Sequence, residues 1–213
     1  MIGRPMHWQV LILASAQALF QTASVLVMTI GGLAGAEIAS RPELATVPIA
    51  AMFLGTAVTI FPASMWMVRV GRRKGFLVGA VLGVAGGLIA AIGLSFGSLG
   101  GLSFGTFLVG SYQAFAQFYR FAASEVADDT FRARAISLVL AGGIIAALAG
   151  PMLGRLGGSL LEPQYVGSFL LLALVSMIGS GVLLGLRFPP PKADSGEARS
   201  EEHTSELQSP CNL

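Results

Sequence analysis

Residues 44–75 read LATVPIAAMFLGTAVTIFPASMWMVRVGRRKG, and this stretch decides the fold. Positions 44–68 carry no charged side chain, whereas four basic residues follow between positions 69 and 74. A helix of about 20 apolar residues crosses the hydrocarbon core of a bilayer, and basic residues in short loops stay on its cytoplasmic side. The stretch therefore predicts a membrane-spanning helix that ends at the cytoplasmic surface.

Similar apolar runs occur on both sides of this one, and together they predict six membrane spans. Backbone groups in lipid must pair within their own segment, so each run is expected to be an α-helix. We therefore expect an all-α integral membrane protein, a six-transmembrane-helix bundle within residues 1–188. Its spans lie at about 8–34, 44–67, 76–96, 99–121, 135–160 and 165–186.

The composition supports lipid as the solvent of this chain. Hydrophobic residues make up 54% and charged residues only 11%, whereas a soluble domain carries about 25% charged residues. The sequence shows no histidine cluster, nucleophile with a base or glycine-rich phosphate loop, and its single cysteine offers no thiol metal site. We therefore predict no enzymatic activity, no cofactor and no metal. The basic loop is expected to contact lipid head groups rather than nucleic acid.

Basic residues alternate between the connections and orient the bundle. One side receives most of them, and the other side receives Arg41 and Arg155. Since positive short loops are cytoplasmic, both termini of the bundle are predicted inside. The residues on the basic side are Arg4, Arg69, Arg72, Arg73, Lys74, Arg132, Arg134, Arg187 and Lys192.

The composition changes sharply after position 191. Residues 199–213, RSEEHTSELQSPCNL, resemble the conceptual translation of a sequencing-library adapter. On that interpretation the natural sequence continues beyond position 198, and the last fifteen residues have no function. The alternative is a disordered acidic tail.

Two stretches carry a family resemblance. Residues 64–75 resemble the signature loop of the major facilitator superfamily, from which Ser64 and Val68 depart because the family pattern has glycine and aspartate there. Residues 149–158, AGPMLGRLGG, are similar to the Gly-Pro motif of the drug–proton antiporters of that superfamily. The matching residues are Arg69, Gly71, Arg72, Arg73 and Lys74 in the loop, and Gly150, Pro151 and Gly154 in the fifth span.

The resemblance implies twelve helices in two halves with a small-molecule substrate held between them. This chain would be the N-terminal half, residues 189–198 would begin the linker, and the missing C-terminal half would be its partner. The implied function is secondary transport by alternating access, with proton-coupled efflux as one mode, in a bacterial cytoplasmic (inner) membrane. The half alone is expected to be inactive. The alternative is a non-transporting six-helix scaffold or sensor subunit.

Polar residues inside spans are costly unless paired or hydrated, so they are candidates for a substrate cavity. In the superfamily the first and fourth helices line that cavity, which agrees with the polar faces of these spans. The alternative is hydrogen bonding between helices. The candidates are Gln17, Gln21 and Ser24 in the first span and Tyr112, Gln113 and Gln117 in the fourth.

Opposite charges on the inner side predict a cytoplasmic gate. The basic signature loop would pair with Glu125 and Asp128, while Arg120 would anchor or gate the inner end of the fourth span. The alternative is that these charges only determine topology and are solvated. Small residues at four-residue intervals in the third and fifth spans predict close helix packing. Pro48, Pro62 and Pro151 are each expected to remove a backbone hydrogen bond within a span.

Overall fold

The computed structural model describes residues 6–186, and this range is built from α-helices and short turns, so the all-α prediction is confirmed. The predictions for Arg4, Arg187, Lys192 and residues 189–213 lie outside the described range. The helices are α1 (Met6–Ile38), α2 (Val47–Val70), α3 (Arg72–Ser95), α4 (Leu99–Ala116), α5 (Tyr119–Val126), α6 (Arg132–Gly158) and α7 (Val166–Leu184).

Five helices in the described range are long and apolar enough to cross a membrane: α1, α2 with its preceding 3-10 turn, α3, α6 and α7. The fourth predicted span, 99–121, differs because it is divided into α4 and α5. At the division the backbone N–H of Phe118 donates to the carbonyl of Phe115, an i→i−3 bond of 3.2 Å. Such a tighter turn inside a helical segment often marks a hinge.

Turn chemistry explains where α3 ends and α4 begins. Gly97 has φ of 63°, a left-handed conformation that glycine adopts without steric cost. The Ser98 side chain then caps α4, because its hydroxyl oxygen accepts a 3.1 Å hydrogen bond from the backbone N–H of Gly101. The short Ser/Gly connection therefore closes a tight hairpin between the two helices.

The three prolines do not act alike. Pro62 and Pro151 lie inside α2 and α6, where each removes a helical hydrogen bond. Pro48 lies in the first turn of α2, because residues Pro42–Thr46 form a separate 3-10 turn. The N–H groups of a first turn have no partner within the helix, so the expected loss of a bond at Pro48 is wrong.

The helices pack in two interlocking groups. α1 packs most extensively on α6 and also on α7, whereas α4 packs on both α2 and α3, and α3 joins the groups through α7. The most apolar windows of α2 and α6 are only 17% and 22% buried, against 61% for α1. Apolar side chains such as Phe61 and Ile144 are therefore left on the outside of these two flanking helices.

Glycine allows α2 and α4 to come together with almost no side chain between them. A Cβ atom added to Gly110 would overlap the backbone carbonyl of Met52, and one added to Gly55 would overlap that of Phe107. The hydroxyl of Thr56 lies in the same contact and donates a 2.9 Å hydrogen bond to the Gly110 carbonyl. Small residues at such positions are the usual route to tight helix association in membranes.

We expect Gly110→Ala to destabilise the protein by about 1–3 kcal/mol, the usual range for overpacking a tight contact. The new methyl group meets backbone, which cannot rotate away. Thermal unfolding of the detergent-purified protein measures the effect as a lower Tm. Gly181→Ala is the matched control, since a Cβ atom there meets no atom within 4 Å. Equal Tm values for the two variants would contradict the prediction.

Candidate functional site

Polar side chains of α1 form the first part of the site. The side-chain amide of Gln17 donates a 2.7 Å hydrogen bond to Oε1 of Gln21, one turn further along the helix. Ser24 continues the same face, since residues three and four apart on a helix are neighbours. Both glutamines are half-buried, so their amide groups stay accessible at the edge of the bundle.

A hydrogen bond between helices joins this face to α4. The Ser24 hydroxyl donates to Oε1 of Gln113 over 3.3 Å. A third helix, α6, borders the group, because a Cβ atom at Gly143 would lie 3.9 Å from the amide of Gln21. The structure thus places Gln17, Gln21 and Ser24 along one face of α1, where α6 borders Gln21 and Gln113 of α4 bonds to Ser24, and we call these four residues the amide cluster.

Tyr112 lies away from this cluster, although the sequence suggested it as a cavity residue. Its side chain is fully buried and packs edge-on against Phe20 at 5.1 Å between ring centroids. Successive residues on a helix point about 100° apart, so Tyr112 and Gln113 cannot face the same space. Tyr112 is a core residue between α3, α4 and α7, close to Gly83 and Gly179.

Gln117 lies at the division between α4 and α5 and is half-buried. Its backbone N–H donates to the Gln113 carbonyl over 3.1 Å, so the two residues are stacked one turn apart. A change in the angle between α4 and α5 would therefore move Gln117 relative to the amide cluster.

The predicted inner gate is only partly assembled within the described residues. Arg72 forms an ion pair with Glu125, which joins the start of α3 to α5. Arg73 donates a 2.8 Å hydrogen bond to the carbonyl of Leu184 at the end of α7. A cation at the carbonyl end of a helix is electrostatically favourable, so Arg73 fastens α3 to α7.

Two other predicted gate residues make local contacts. The Asp128 carboxylate accepts hydrogen bonds from the backbone N–H of Phe131 and the hydroxyl of Thr130, both at 2.9 Å. It organises the turn before α6 and, among residues 6–186, pairs with no cation. Arg120 lies over the ring of its neighbour Phe121, 5.0 Å from the centroid. Arg69 at the end of α2, Gly71 between the helices and Lys74 in the first turn of α3 are all exposed.

The Gly-Pro stretch of α6 faces α1. A Cβ atom at Gly150 would approach the side chain of Val25 to 2.7 Å, and one at Gly154 would approach Ile30 to 3.0 Å. Pro151 lies between them inside α6, so one helical hydrogen bond is missing beside these contacts. These residues contribute to helix packing and do not enter the amide cluster.

Polar contacts between α2 and α4 were not anticipated from the sequence. The hydroxyl of Thr59 donates to that of Ser111 over 3.0 Å, and the buried Thr106 hydroxyl donates to the Pro48 carbonyl over 2.7 Å. The sequence did offer one indication of these contacts, since Thr56 and Thr59 are three residues apart and therefore share a face of α2. Their partner could not be identified, because small polar residues occur on every span.

Comparison with known proteins agrees with this fold. The family model described as "Major Facilitator Superfamily" matches residues 10–210. The chain is 38% identical over 186 residues to the riboflavin transporter RfnT of Brucella anthropi, covering 87% of this chain and 47% of that protein. It is 30% identical over 176 residues to the uncharacterised MFS-type transporter YddS of Bacillus subtilis, covering 77% and 38%.

A solved structure gives the same result for the fold alone. The E. coli fucose:proton symporter FucP superposes with a TM-score of 0.67 at 14% identity, covering 95% of this chain and 56% of that one. The chain spans about half the length of the relatives it matches. The superfamily that the sequence resembles is therefore confirmed: this multi-pass membrane protein belongs to the Major Facilitator Superfamily, a family of transporters and not of enzymes.

Proposed function

We propose that this chain is one half of a transporter that moves a small organic molecule by alternating access, with the amide cluster contributing to the substrate cavity. The observation that carries the proposal is the Ser24–Gln113 hydrogen bond, which collects amide groups from two helices at one half-buried place. A second six-helix half would close the opposite wall. The exposed apolar faces of α2 and α6 offer the surface against which such a half would pack.

We propose riboflavin, or a molecule with a similar flat heterocycle, as the substrate to test first. The support is the 38% identity with a protein named as a riboflavin transporter. The chemistry is compatible, since a side-chain amide offers one acceptor and two donors and the flavin ring carries adjacent carbonyl and N–H groups. Several glutamines at one place could bind such an edge through paired hydrogen bonds.

Whether transport is coupled to protons depends on which titratable residues lie in or near the membrane. The carboxylates within residues 6–186 are exposed and lie in loops or near helix ends, as Glu37 does at the end of α1. A proton-coupled mechanism needs a carboxylate or histidine that titrates in or near the membrane. No carboxylate of the described residues lies deep within a span, so proton-coupled efflux would use a group near a helix end or one outside the described range, and a facilitator would need none.

We expect Gln113→Ala in the full-length protein to lower riboflavin uptake by up to about tenfold at subsaturating substrate. A neutral hydrogen bond contributes about 0.5–1.5 kcal/mol, and about 1.4 kcal/mol corresponds to a factor of ten in affinity. Uptake of labelled riboflavin into cells that lack their own transporter measures the effect. Lumichrome, the ring without the ribityl chain, should compete if the amides bind the ring.

Thr29→Ala is the control for that experiment. Thr29 is also a polar residue of α1, but it is exposed and its hydroxyl bonds to the Val25 carbonyl of its own helix. Its uptake should equal that of the wild type. Loss of uptake in both variants would indicate general damage to α1 and α4, and normal uptake in Gln113→Ala would contradict the role of the amide cluster. Absence of riboflavin transport by the wild type would exclude this substrate only.

We also expect Arg72→Glu and Glu125→Arg each to change the transport rate by about two- to fivefold, and the double exchange to restore it. The pair is exposed, and such pairs contribute about 0–1 kcal/mol, which limits how far they can shift an equilibrium between inward-open and outward-open states. Arg132→Glu is the control, because Arg132 pairs with Asp129 within one helical turn. Single variants at the wild-type rate would contradict a gating role.

A further inference from the structure

Three hydroxyl groups in the core of the bundle have no hydrogen-bond partner among residues 6–186. They belong to Tyr112 of α4, Tyr119 of α5 and Ser176 of α7, and all three side-chain oxygens are shielded from solvent. A buried hydroxyl without a partner costs free energy, so such groups in folded proteins usually bind a protein atom or an ordered water molecule. The transport proposal assigns no role to any of the three.

Ring and glycine contacts bring these side chains to one place. Phe20 of α1 packs edge-on against Tyr112 at 5.1 Å and against Tyr119 at 6.5 Å between ring centroids. The two phenol groups are close enough to interact electrostatically, but the structure forms no hydrogen bond between them. Ser176 approaches from α7, because a Cβ atom added at Gly83 would meet both the Tyr112 ring and the Ser176 hydroxyl. Groups from three helices therefore meet at Tyr112.

Gly179 leaves a small space beside the Tyr112 hydroxyl. A Cβ atom added at Gly179 would lie 3.4 Å from that oxygen and 3.9 Å from Cβ of Leu19, and no atom of another helix would be closer. Both are ordinary van der Waals distances, so this buried face of α7 has room for a group of methyl size. Ser176 lies three residues before Gly179 and shares its face of the helix. The space is therefore bordered by hydroxyl groups of two helices.

The chemistry of this space selects water as its ligand. A hydroxyl group both donates and accepts hydrogen bonds, which suits a neutral ligand that does the same. A buried water molecule typically makes two to four such bonds to groups that lack other partners. The remaining neighbours, Leu19 and Phe20, are apolar, so an ion would be buried without a countercharge, which is strongly unfavourable.

We propose that the space beside Gly179 binds one buried water molecule, which hydrogen-bonds to Tyr112 and Ser176 and has Tyr119 as its third hydroxyl partner. The water molecule joins α4 to α7 across the core and supplies the partners that the three hydroxyls lack. The glycine is essential to the site, since any side chain at position 179 would occupy the same space. The water site is separate from the amide cluster and does not depend on the transport proposal.

X-ray radiolysis of the full-length protein in detergent, analysed by mass spectrometry, tests the site directly. The X-ray pulse converts bound water to hydroxyl radicals, which modify adjacent side chains that bulk solvent does not reach. Tyr112 should be modified at least about fivefold faster than Phe169, an equally buried aromatic residue, because ordered water is confined beside Tyr112. Gly179→Ala should lower the Tyr112 rate at least about threefold, since its methyl group displaces the water. Gly181→Ala is the matched control on α7 and should keep the wild-type rate.

Thermal unfolding gives a second readout, in which a dry site and a hydrated site differ in sign. At a dry site Tyr112→Phe would remove an unpaired buried hydroxyl and would not lower the Tm. With water bound, the same change should lower the Tm by about 1–3 °C, because one buried hydrogen bond is lost. Ser176→Ala should also lower the Tm. The double variant should lose less than the sum of the two single losses, since both residues bind the same water molecule.

Several results would overturn the proposal. Modification of Tyr112 at the rate of Phe169 would show that no water is bound beside it, and this measurement on the wild type depends on no variant. An unchanged Tyr112 rate in Gly179→Ala would place the water elsewhere. A Tm of Tyr112→Phe at or above that of the wild type would show that the hydroxyl is dry. Strict additivity of Tyr112→Phe and Ser176→Ala would mean that the two hydroxyls share no ligand.

Discussion

The contact between α2 and α4 at Gly55 and Gly110 is the constraint on which the rest of the bundle depends. Because backbone meets backbone there, the rotation of α4 about its own axis is fixed. Side chains then point away at about 100° per residue: Ser111 towards α2, Tyr112 into the core, and Gln113 towards α1. One close approach thus assigns three consecutive residues to three different environments.

α1 and α6 also come together through glycine residues. α6 packs on α1 through Gly142 and Gly150, where added Cβ atoms would approach Ala14 and Val25 of α1. In each case a flanking helix with low burial packs on a helix from the other half of the sequence: α2 packs on α4, and α6 packs on α1. This exchange is the arrangement expected of two related repeats within one transporter half. It leaves the amide cluster between the two central helices, α1 and α4.

The sequence was sufficient for features that depend on composition and local pattern. Apolar runs gave the helices, and the basic residues after position 68 together with Gly150 and Pro151 gave the family. The positions of individual side chains could not be predicted from the sequence, because they depend on how the helices are rotated against each other. Tyr112 and Gln113 look equally suited to a cavity in the sequence, and Asp128 looks suited to a gate until its carboxylate is seen to accept hydrogen bonds from its own turn. The site beside Gly179 needed three helices in place.

The two proposed sites lie on different sides of the same helix, and this has a physical consequence. Tyr112 faces the core beside Gly179 of α7, while Gln113, the next residue, bonds to α1. Because the backbone contact at Gly55 and Gly110 fixes α4 against α2, a movement that displaces Gln113 must carry α2 and α4 together.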